Sequence, residues 1–394
     1  MERFIIGIDL GTTTCLAYGS KPLGEKKAIT DPSGRHYIDS YIAFNNGEPV
    51  FGKTAKEAKG KVTKLYELKR LIGKKYDYQS FQSDLSKWPF RVVPGNDGLA
   101  EVEYDVLTPQ GQQTRQDRPE VLTGLLLKYI KDTSNRFNEE KLPVSVIITV
   151  PARFNNDEKK ATLAAASLAG FDDVQLFSEP SAAALTYVNG MKDKKERMND
   201  EKENKTFVVY DFGGGTFDVS IIEYTNNEFR ILETDGDTHL GGADIDNCLI
   251  DYYLKELEKK HPHTKTDTKR AKIKEHCEEV KKSLSIQDQA YFEFSIVNVD
   301  YDDGCLITRN QFEELIEPIV SKTLEILHRC INRWQEKNEG KEYDGIILVG
   351  GSSEIPYVRK RLNKEFPNRI VTDISPSQAV GEGAFIRGCI VRMI

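Results

Sequence analysis

The fold is decided by two stretches of sequence, IIGIDLGTTTCLAY at residues 5–18 and VVYDFGGGTFDVSII at residues 208–222. In each stretch an apolar run typical of a buried strand leads through an aspartate into a turn of glycine and threonine, and a second apolar run follows. Glycines let backbone N–H groups converge on an anion, so each turn is a candidate phosphate site. The repetition predicts two lobes of similar construction, with one such turn in each.

Further strand and helix patterns alternate along the chain. Residues 144–150 and 345–349 have the pattern of short buried strands, whereas residues 120–136 and 157–169 have the spacing of amphipathic helices. This alternation predicts an α/β protein. A chain of 394 residues exceeds what one hydrophobic core ordinarily supports, which again favours two lobes with a cleft between them. The charged run at residues 192–205 is predicted to join the lobes or to cap a helix in solvent.

Composition excludes several classes of function. With 55 basic and 62 acidic residues and a net charge of −7, the chain lacks the basic surface expected of a nucleic-acid-binding protein. No stretch approaches the roughly 20 apolar residues of a membrane helix. Asp9 interrupts the N-terminus too early for a secretory signal, so a cytoplasmic location is expected. The six cysteines have no C-x-x-C spacing, which indicates reduced thiols in place of a disulfide framework or a zinc site.

A third glycine turn, in IILVGGSSEIP at residues 346–356, follows a strand pattern and precedes a helix start. A helix N-terminus in this position can bind an anion or a nucleoside. A diphosphate between the turns of the two lobes would bring Asp9 and Asp211 face to face, and two carboxylates in a partly dry site repel one another. Magnesium suits such a site because it keeps several waters and binds phosphates with one or two carboxylates nearby.

The three glycine-turn segments resemble the signature motifs of the DnaK or heat-shock 70 family. The segments VIITVPARFNNDEKKAT at 146–162 and SEPSAAALTY at 178–187 resemble the connecting segments of that family, and GDTHLGGADID at 236–246 matches a turn of its second lobe. Sugar kinases and actins share the phosphate turns but not, as a rule, these strings together. The resemblance runs from Ile5 to about Arg387 and therefore covers nearly the whole chain.

This resemblance implies the actin-like ATPase fold, an α/β architecture in which two lobes of duplicated ribonuclease-H-like topology surround a nucleotide cleft. We expect lobe I at residues 1–188 and lobe II at residues 189–373. A closing helix at residues 374–394 is expected to return to lobe I.

The resemblance also implies an activity, the magnesium-dependent hydrolysis of ATP to ADP and phosphate. Asp9, Glu179 and Asp211 would hold the magnesium ion through water. Lys69 would reach the γ-phosphate and the attacking water, and Thr216 would lie near the γ-phosphate. Such a site is chemically sensible because phosphoryl transfer depends mainly on positioning and on neutralisation of charge.

Other residues of the implied site bind phosphate or potassium. Asp9 and Asp218 match positions that the family associates with potassium ions beside the nucleotide. From the sequence alone Lys69 would be a solvated surface lysine and Glu179 a helix-start acid, so only the resemblance places them in the site. The turn residues implied to bind the nucleotide are Gly11, Thr12, Thr13, Thr14, Gly213, Gly214, Gly215 and Thr216.

The adenosine side of the implied site includes one face of a helix predicted at residues 267–285. Glu278, Lys281, Lys282 and Ser285 recur at i, i+3, i+4 and i+7 and therefore share that face. By itself this spacing is typical of an exposed glutamate–lysine pair, whereas the resemblance implies contact with adenosine. The remaining residues implied to bind nucleotide are Gly242, Gly350, Gly351, Ser352 and Glu354.

Four positions depart from the family pattern. Lys282 and Glu354 stand where the family usually has arginines that flank the adenine ring, and neither replacement stacks as a guanidinium does. Ser377 replaces a usual aspartate of the adenosine turn, and Arg153 replaces a usual tyrosine in a segment that relays signals between domains. Because Lys282 and Glu354 have opposite charges, we expect them to form an ion pair that closes over the nucleotide.

The family resemblance also implies binding partners, and several alternative functions stay open. The resemblance implies a J-domain co-chaperone, a nucleotide-exchange factor and unfolded peptides bound by a following domain; a monomer is expected. Residues 1–394 contain no acidic-apolar linker and no β-rich peptide-binding domain, which leaves a fragment and a stand-alone ATPase as hypotheses. On the same fold, a nucleotide sensor, a small-molecule kinase with an acceptor pocket and a base, and a polymerising actin-like protein stay open.

Overall fold

The computed structural model describes residues 2–21, 24–60, 62–77, 79, 84–85, 88–195, 204–262 and 270–393. The chain divides into two compact units. Unit 1 comprises Met1–Glu201 and Gln378–Ile394, and unit 2 comprises Lys202–Ser377. The sequence had suggested boundaries after residues 188 and 373, and the first of these falls inside a continuous helix that ends at Lys195. Within the charged run 192–205, residues 196–203 lie outside the described residues.

Unit 1 is built on a main sheet with the strand order β12-β11-β1-β2-β3, in which β4 also pairs with β2. The pairs β1–β11 and β11–β12 are parallel, and β1–β2 and β2–β3 are antiparallel. Two smaller sheets have the orders β6-β5-β7 and β10-β9-β8. The strands are β1 Phe4–Asp9, β2 Thr14–Ser20, β3 Lys27–Ala28, β4 Tyr37–Asp39, β5 Tyr41–Asn45, β6 Glu48–Phe51, β7 Leu65–Tyr66, β8 Arg91–Pro94, β9 Ala100–Thr108, β10 Gly111–Asp117, β11 Val144–Val150 and β12 Val174–Ser178.

Helices cover the main sheet of unit 1, and its central strands are mostly apolar and buried because both faces are covered. Asn155 caps the N-terminus of α3, since its side chain accepts hydrogen bonds from the backbone N–H groups of Asp157 and Glu158. The C-terminal helix packs closely on α4, where a side chain at Gly383 would collide with the carbonyl of Ala182. The helices are α1 Gly52–Lys56, α2 Pro119–Ser134, α3 Asn156–Leu168, α4 Glu179–Lys195 and the C-terminal helix Ala379–Met393, with a 3-10 helix at Leu68–Arg70.

Unit 2 has a main sheet with the strand order β15-β14-β13-β18-β19. The pairs β13–β18 and β18–β19 are parallel, and β13–β14 and β14–β15 are antiparallel. Its strands are β13 Lys205–Phe212, β14 Phe217–Thr225, β15 Glu228–Asp237, β16 Gln289–Glu293, β17 Gly304–Thr308, β18 Gly345–Val349 and β19 Ile370–Val371. Its helices are α5 Gly242–Lys260, α6 Arg270–Ile286, α7 Arg309–Lys337 and α8 Pro356–Glu365, with 3-10 helices at Phe294–Ile296 and Gly351–Glu354.

The two main sheets repeat one topology. Read from the antiparallel edge inward, β3-β2-β1-β11-β12 of unit 1 has the same order and the same pairing directions as β15-β14-β13-β18-β19 of unit 2. Each unit also has its own hydrophobic core. The predicted α/β class with a duplicated topology is therefore confirmed. In both units the aspartate of the glycine turn lies in the central strand of the sheet, at Asp9 of β1 and at Asp211 of β13.

Two further features concern the cysteines and the length of the apolar helices. All six cysteines are free thiols, and five of them are buried. Of the helices that the structure describes, none is long and apolar enough to cross a membrane.

Candidate functional site

In unit 1 a cluster of charged groups lies at the end of β1. Asp9 is the last residue of that strand, and Thr149 of the neighbouring strand β11 donates a hydrogen bond to its carboxylate at 3.5 Å. Burial and the nearby carboxylate of Glu179 raise the pKa of Asp9 to about 7, although Lys69 and Thr149 act in the opposite direction. Two carboxylates and one lysine are thus close enough to influence each other's charge.

Lys69 and Glu179 form the shortest contact of this cluster. Their Nζ and Oε1 atoms are 2.5 Å apart, and each side chain is only 12% exposed. The 3-10 helix Leu68–Arg70 presents Lys69, and Glu179 is the first residue of α4, where the helix dipole favours a carboxylate. The local sequence alone indicated a solvated lysine, and this interpretation is wrong. The structure brings together Asp9, Lys69 and Glu179, and their role at a nucleotide stays a prediction.

The glycine turn of unit 1 lies beside this cluster. Any side chain at Gly11 would collide with the carbonyl oxygen of Thr14, so the turn requires glycine at that position. Ser40 holds the turn from outside, because its hydroxyl donates to the carbonyl of Gly11 at 2.8 Å and its backbone N–H donates to the carbonyl of Thr13 at 2.9 Å. Thr12 and Thr13 form the turn, whereas Thr14 already begins β2.

A pocket of about 420 Å³ that includes space open to solvent adjoins the turn and the charged cluster. Gly11, Thr12, Lys69 and Thr149 contribute to its wall, and the rest of the lining is mainly aliphatic and aromatic. Lys69 and the threonines therefore line a space with little polar surface, where electrostatic interactions are stronger than in water. Ser40 and Thr149 both belong to this region, and no motif in the sequence had indicated either of them.

In unit 2 the corresponding aspartate has a carboxylate neighbour on the adjacent strand. Asp211 of β13 lies directly opposite Asp218 of β14 in the antiparallel register, so the two side chains are on the same face of the sheet. Like charges in such a pair are unfavourable unless a cation or a set of donors compensates them. The structure therefore brings together the two residues of unit 2 that were predicted to act near metal ions.

Three glycine segments of unit 2 pack against one another. We call this cluster the glycine cradle and define it as residues 213–216, 241–243 and 350–352. The backbone N–H groups of Gly242 and Ala243 donate to the carbonyls of Gly213 and Gly214 at 3.0 and 2.8 Å. The hydroxyl of Ser352 donates to the same carbonyl of Gly213 at 2.9 Å.

Close approach of backbone to backbone explains the glycines of the cradle. An added Cβ at Gly241 would lie 2.6 Å from backbone atoms of Gly215, and one at Gly242 would lie 2.6 Å from the hydroxyl of Ser352. Gly350 has a left-handed φ of 83°, which only glycine adopts without strain, and its Cβ would meet the backbone of Phe212. Gly241 was missing from the predicted site, although the pair of adjacent glycines at 241 and 242 could have signalled it.

Helix α6 reaches the cradle through Lys281. The Nζ atom of Lys281 donates to the carbonyl of Gly242 at 3.1 Å and pairs with Asp246 at 2.9 Å. Burial raises the pKa of Asp246, and Lys281 opposes that rise. The hydroxyl of Ser285 donates to the carbonyl of Lys281 within the helix, and Lys282 pairs with Glu278 at 3.0 Å. Contact of this helix face with adenosine stays a prediction, and Asp246 on α5 was not among the residues that the sequence indicated.

The ion pair expected between Lys282 and Glu354 is absent from the described part of the chain. Lys282 pairs with Glu278 at 3.0 Å and with Glu279 at 3.4 Å, both on its own helix. The carboxylate of Glu354 instead accepts a hydrogen bond from the hydroxyl of Ser377 at 2.8 Å. Lys282 therefore pairs with glutamates one helical turn away and not with Glu354 on a different element. The prediction of a Lys282–Glu354 ion pair is wrong.

Side chains alone do not form a complete metal site in the described part of the chain. Among the residues whose placement the structure describes, no three histidine, cysteine or acidic side chains are grouped so that they could hold a metal ion. Any ion at these carboxylates would need water or phosphate oxygens to complete its coordination, as magnesium ordinarily does.

Two units of identical strand order, each with an aspartate and a glycine turn at the first strand, define an α/β protein of the actin-like ATPase class. The Hsp70 protein family model matches residues 5–393, and the chain belongs to that family.

Curated relatives support the same assignment. The chain is 34% identical to heat shock cognate 70 kDa protein 3 of Dictyostelium discoideum, with 98% of this chain and 60% of that protein covered. It is 34% identical to the heat shock cognate HSP70 protein of Trypanosoma brucei brucei, with 96% and 55% covered. It is 32% identical to the heat shock 70 kDa protein of Emericella nidulans, with 98% and 58% covered. The chain thus spans little more than half the length of these relatives.

The closest packing in the cradle yields a first prediction. Gly241→Ala should weaken ADP binding by about tenfold or more, because the new methyl group displaces residues 213–216, and a small misplacement of phosphate donors is costly. Calorimetric titration of the variant with ADP and magnesium measures the effect. Gly190→Ala is the matched control, since a Cβ there meets no atom within 4 Å. Equal affinity in Gly241→Ala and Gly190→Ala would show that the cradle does not contact the nucleotide.

Proposed function

We propose that this chain binds ATP with magnesium and hydrolyses it to ADP and phosphate. The observation that carries the proposal is the nearly buried Lys69–Glu179 pair beside Asp9 and the glycine turn of unit 1. A buried lysine that adjoins two carboxylates and a phosphate turn is costly to maintain as a purely structural feature. Family membership supports the same activity.

The carboxylates fit a hydrated divalent cation. The raised pKa of Asp9 means that a negative charge is unfavourable there, first because the carboxyl is buried and second because Glu179 is nearby. Asp211 and Asp218 lie directly opposite each other in unit 2. We propose that Asp9, Glu179 and Asp211 hold magnesium through water, and that potassium binds near Asp9 and Asp218. Magnesium would supply neutralisation of the phosphate charge.

The residues of the chain would perform the remaining tasks. Backbone N–H groups of the turn at 11–13 and of the glycine cradle would bind phosphate oxygens, and the hydroxyl of Thr216 would lie near the γ-phosphate. Lys69 would donate to the γ-phosphate, where negative charge must be stabilised as the bond to ADP breaks. Thr149 orients Asp9 by the hydrogen bond already described.

We also propose a chaperone role and the partners that this role requires. The relatives are named as heat shock proteins and are longer than this chain. We propose that nucleotide hydrolysis here controls the binding of unfolded peptides by a further region such as the relatives possess, with a J-domain protein and a nucleotide-exchange factor as regulators. A cytoplasmic location and a monomeric state stay predictions.

Product analysis tests the proposed activity. The chain is incubated with magnesium and γ-labelled ATP, alone and with sugars or short carboxylic acids, and the label is located. Release of the label as free phosphate without an acceptor supports a hydrolase. Transfer of the label to an added acceptor would indicate a kinase, tight binding without release would indicate a sensor, and ATP-dependent light scattering would indicate a polymer.

A further inference from the structure

A strained backbone position lies directly before the 3-10 helix that presents Lys69. Glu67 has a φ of 57° and a ψ of 24°, a left-handed conformation that costs free energy for a residue with a side chain. Asparagine adopts this conformation more readily, and asparagines occupy it in the hairpin turns at residues 46 and 226–227. A glutamate persists in it only where the surrounding structure compensates the strain, and such positions cluster at functional sites.

Two donors hold the side chain of Glu67 in unit 1. The indole N–H of Trp88 donates to Oε2 of Glu67 at 3.2 Å, and Nε of Arg70 forms an ion pair with the same oxygen at 3.0 Å. The side chains of Glu67 and Arg70 are only 17% and 12% exposed, and Trp88 is buried. Because hydrogen bonds to a charged acceptor are stronger than those between neutral groups, these contacts offset the backbone strain.

The backbone of Glu67 also begins the 3-10 helix. The N–H of Arg70 donates to the carbonyl of Glu67 at 2.9 Å, and the N–H of Leu71 donates to the carbonyl of Leu68 at 2.9 Å. A 3-10 helix of three residues has poor hydrogen-bond geometry and little stability of its own. Its direction therefore depends on the fixed turn that precedes it. We call Glu67, Arg70 and Trp88 the Glu67 lock.

One strand pair joins the Glu67 lock to the glycine turn of unit 1. Strand β7 ends at Tyr66, immediately before Glu67, and Tyr66 lies opposite Tyr41 of β5 in the antiparallel register. The rings of Tyr41 and Tyr66 stack with their centroids 4.9 Å apart. Tyr41 directly follows Ser40, whose hydroxyl and backbone N–H donate to two carbonyls of the glycine turn. Paired residues of β5 and β7 therefore fix the 3-10 helix relative to the glycine turn.

We propose that Glu67 is a positioning residue for hydrolysis, and that the Glu67 lock holds Lys69 where it contacts Glu179 and lines the pocket beside the glycine turn. Glu67 acts through the backbone of the 3-10 helix and need not contact the nucleotide. Such support matters because a misplacement of about 1 Å can lower a catalysed rate by about 100-fold. The inference rests on the proposed function, since Lys69 is taken to act on the γ-phosphate.

Single-turnover hydrolysis of γ-labelled ATP with magnesium, together with calorimetric ATP affinity, tests the inference. Glu67→Gly removes the carboxylate but leaves the left-handed turn accessible, because glycine adopts it without strain. The variant should hydrolyse ATP about tenfold or more slowly while ATP affinity changes by less than about threefold, since a displaced Lys69 affects the transition state more than bound ATP. Lys141→Gly is the matched control and should keep the parent rate. Lys141 also has a left-handed φ, of 52°, and precedes the end of β11 that is remote from Thr149.

Trp88→Phe tests the Glu67 lock from its other side. Phenylalanine keeps an aromatic ring to stack on Phe90, as Trp88 does with centroids 5.3 Å apart, but it has no N–H to donate to Glu67. Loss of this one hydrogen bond should lower the hydrolysis rate about threefold at unchanged ATP affinity. The double variant Glu67→Gly/Trp88→Phe should be no slower than Glu67→Gly, because the contribution of Trp88 passes through Glu67.

The outcomes separate the inference from the function on which it rests. A rate in Glu67→Gly within about twofold of the parent overturns the inference and leaves the ATPase proposal intact. Multiplied effects in the double variant also overturn the inference, since Trp88 would then act independently of Glu67. Failure of the parent chain to hydrolyse ATP overturns both. Thermal melts establish which variants are folded, and if Glu67→Gly is not, Trp88→Phe decides by a lowered rate at unchanged affinity or by the parent rate.

Discussion

Lys69→Ala should lower the single-turnover rate of ATP hydrolysis by about 100-fold or more, while ATP affinity changes by less than about tenfold. The reason is that Lys69 lies beside the proposed phosphate turn in a pocket of low polarity, so its charge stabilises the transition state more than the bound substrate. Mixing excess enzyme with labelled ATP gives the rate, and calorimetry gives the affinity. An unchanged rate would remove Lys69 from the active site.

Two companion variants separate catalysis from folding. Lys75→Ala removes an exposed lysine of the same region and should affect neither rate nor affinity. Lys69→Ala also removes the cation that compensates Glu179, so we expect its melting temperature to fall. The double variant Lys69→Ala/Glu179→Gln should recover stability but not hydrolysis. Recovery of hydrolysis in the double variant would mean that the pair is only structural.

Asp9→Asn should have opposite effects on nucleotide binding and on stability. It should weaken magnesium-dependent ATP binding by about tenfold or more, because the proposed metal site loses a carboxylate. It should stabilise the free protein at neutral pH, because a charge on Asp9 is unfavourable in its buried position beside Glu179. Titration of ATP with and without magnesium, together with denaturant unfolding, measures both effects. Equal magnesium dependence in parent and variant would show that the carboxylate is structural, and Asp211→Asn applies the same test to unit 2.

The raised pKa of Asp9 also predicts how stability depends on pH. In the unfolded chain Asp9 loses its proton near pH 3.8, whereas in the folded chain it keeps the proton to about pH 7. The folded state binds the proton more tightly, so this contribution to stability is complete below about pH 4 and is lost as pH rises to 7. The loss is roughly 4 kcal/mol at most. The difference between the unfolding free energies of parent and Asp9→Asn should follow this curve, and a difference independent of pH would contradict it.

The sequence predicted the fold well because its strongest signals are local. The apolar run before Asp9 and the one before Asp211 each specify a buried strand, and the glycines that follow each specify a turn. Repetition of that pattern indicated the duplicated topology before any strand order was known. The boundary predicted after residue 188 falls inside α4, because that helix continues to Lys195 through charged residues that carry no end signal.

The site was harder to predict because it depends on contacts between distant residues. Ser40, Thr149 and Asp246 act through hydrogen bonds or ion pairs with residues at least 25 positions away, and no local pattern distinguishes them from ordinary polar residues. Lys69 became a candidate only through the family resemblance, since its neighbours in sequence are charged and it turned out to be nearly buried. The prediction of a Lys282–Glu354 ion pair was wrong because glutamates of the same helix lie closer to Lys282.

The central claim is that the chain hydrolyses ATP at the site that contains Lys69, Glu179 and Asp9. The most direct measurement is the single-turnover release of labelled γ-phosphate by the parent chain with magnesium, compared with Lys69→Ala under identical conditions. The account predicts that the parent converts all bound ATP to ADP and free phosphate and that the variant binds ATP but releases phosphate about 100-fold more slowly or not at all. Recovery of intact ATP from the parent complex, or equal release by parent and variant, would contradict it.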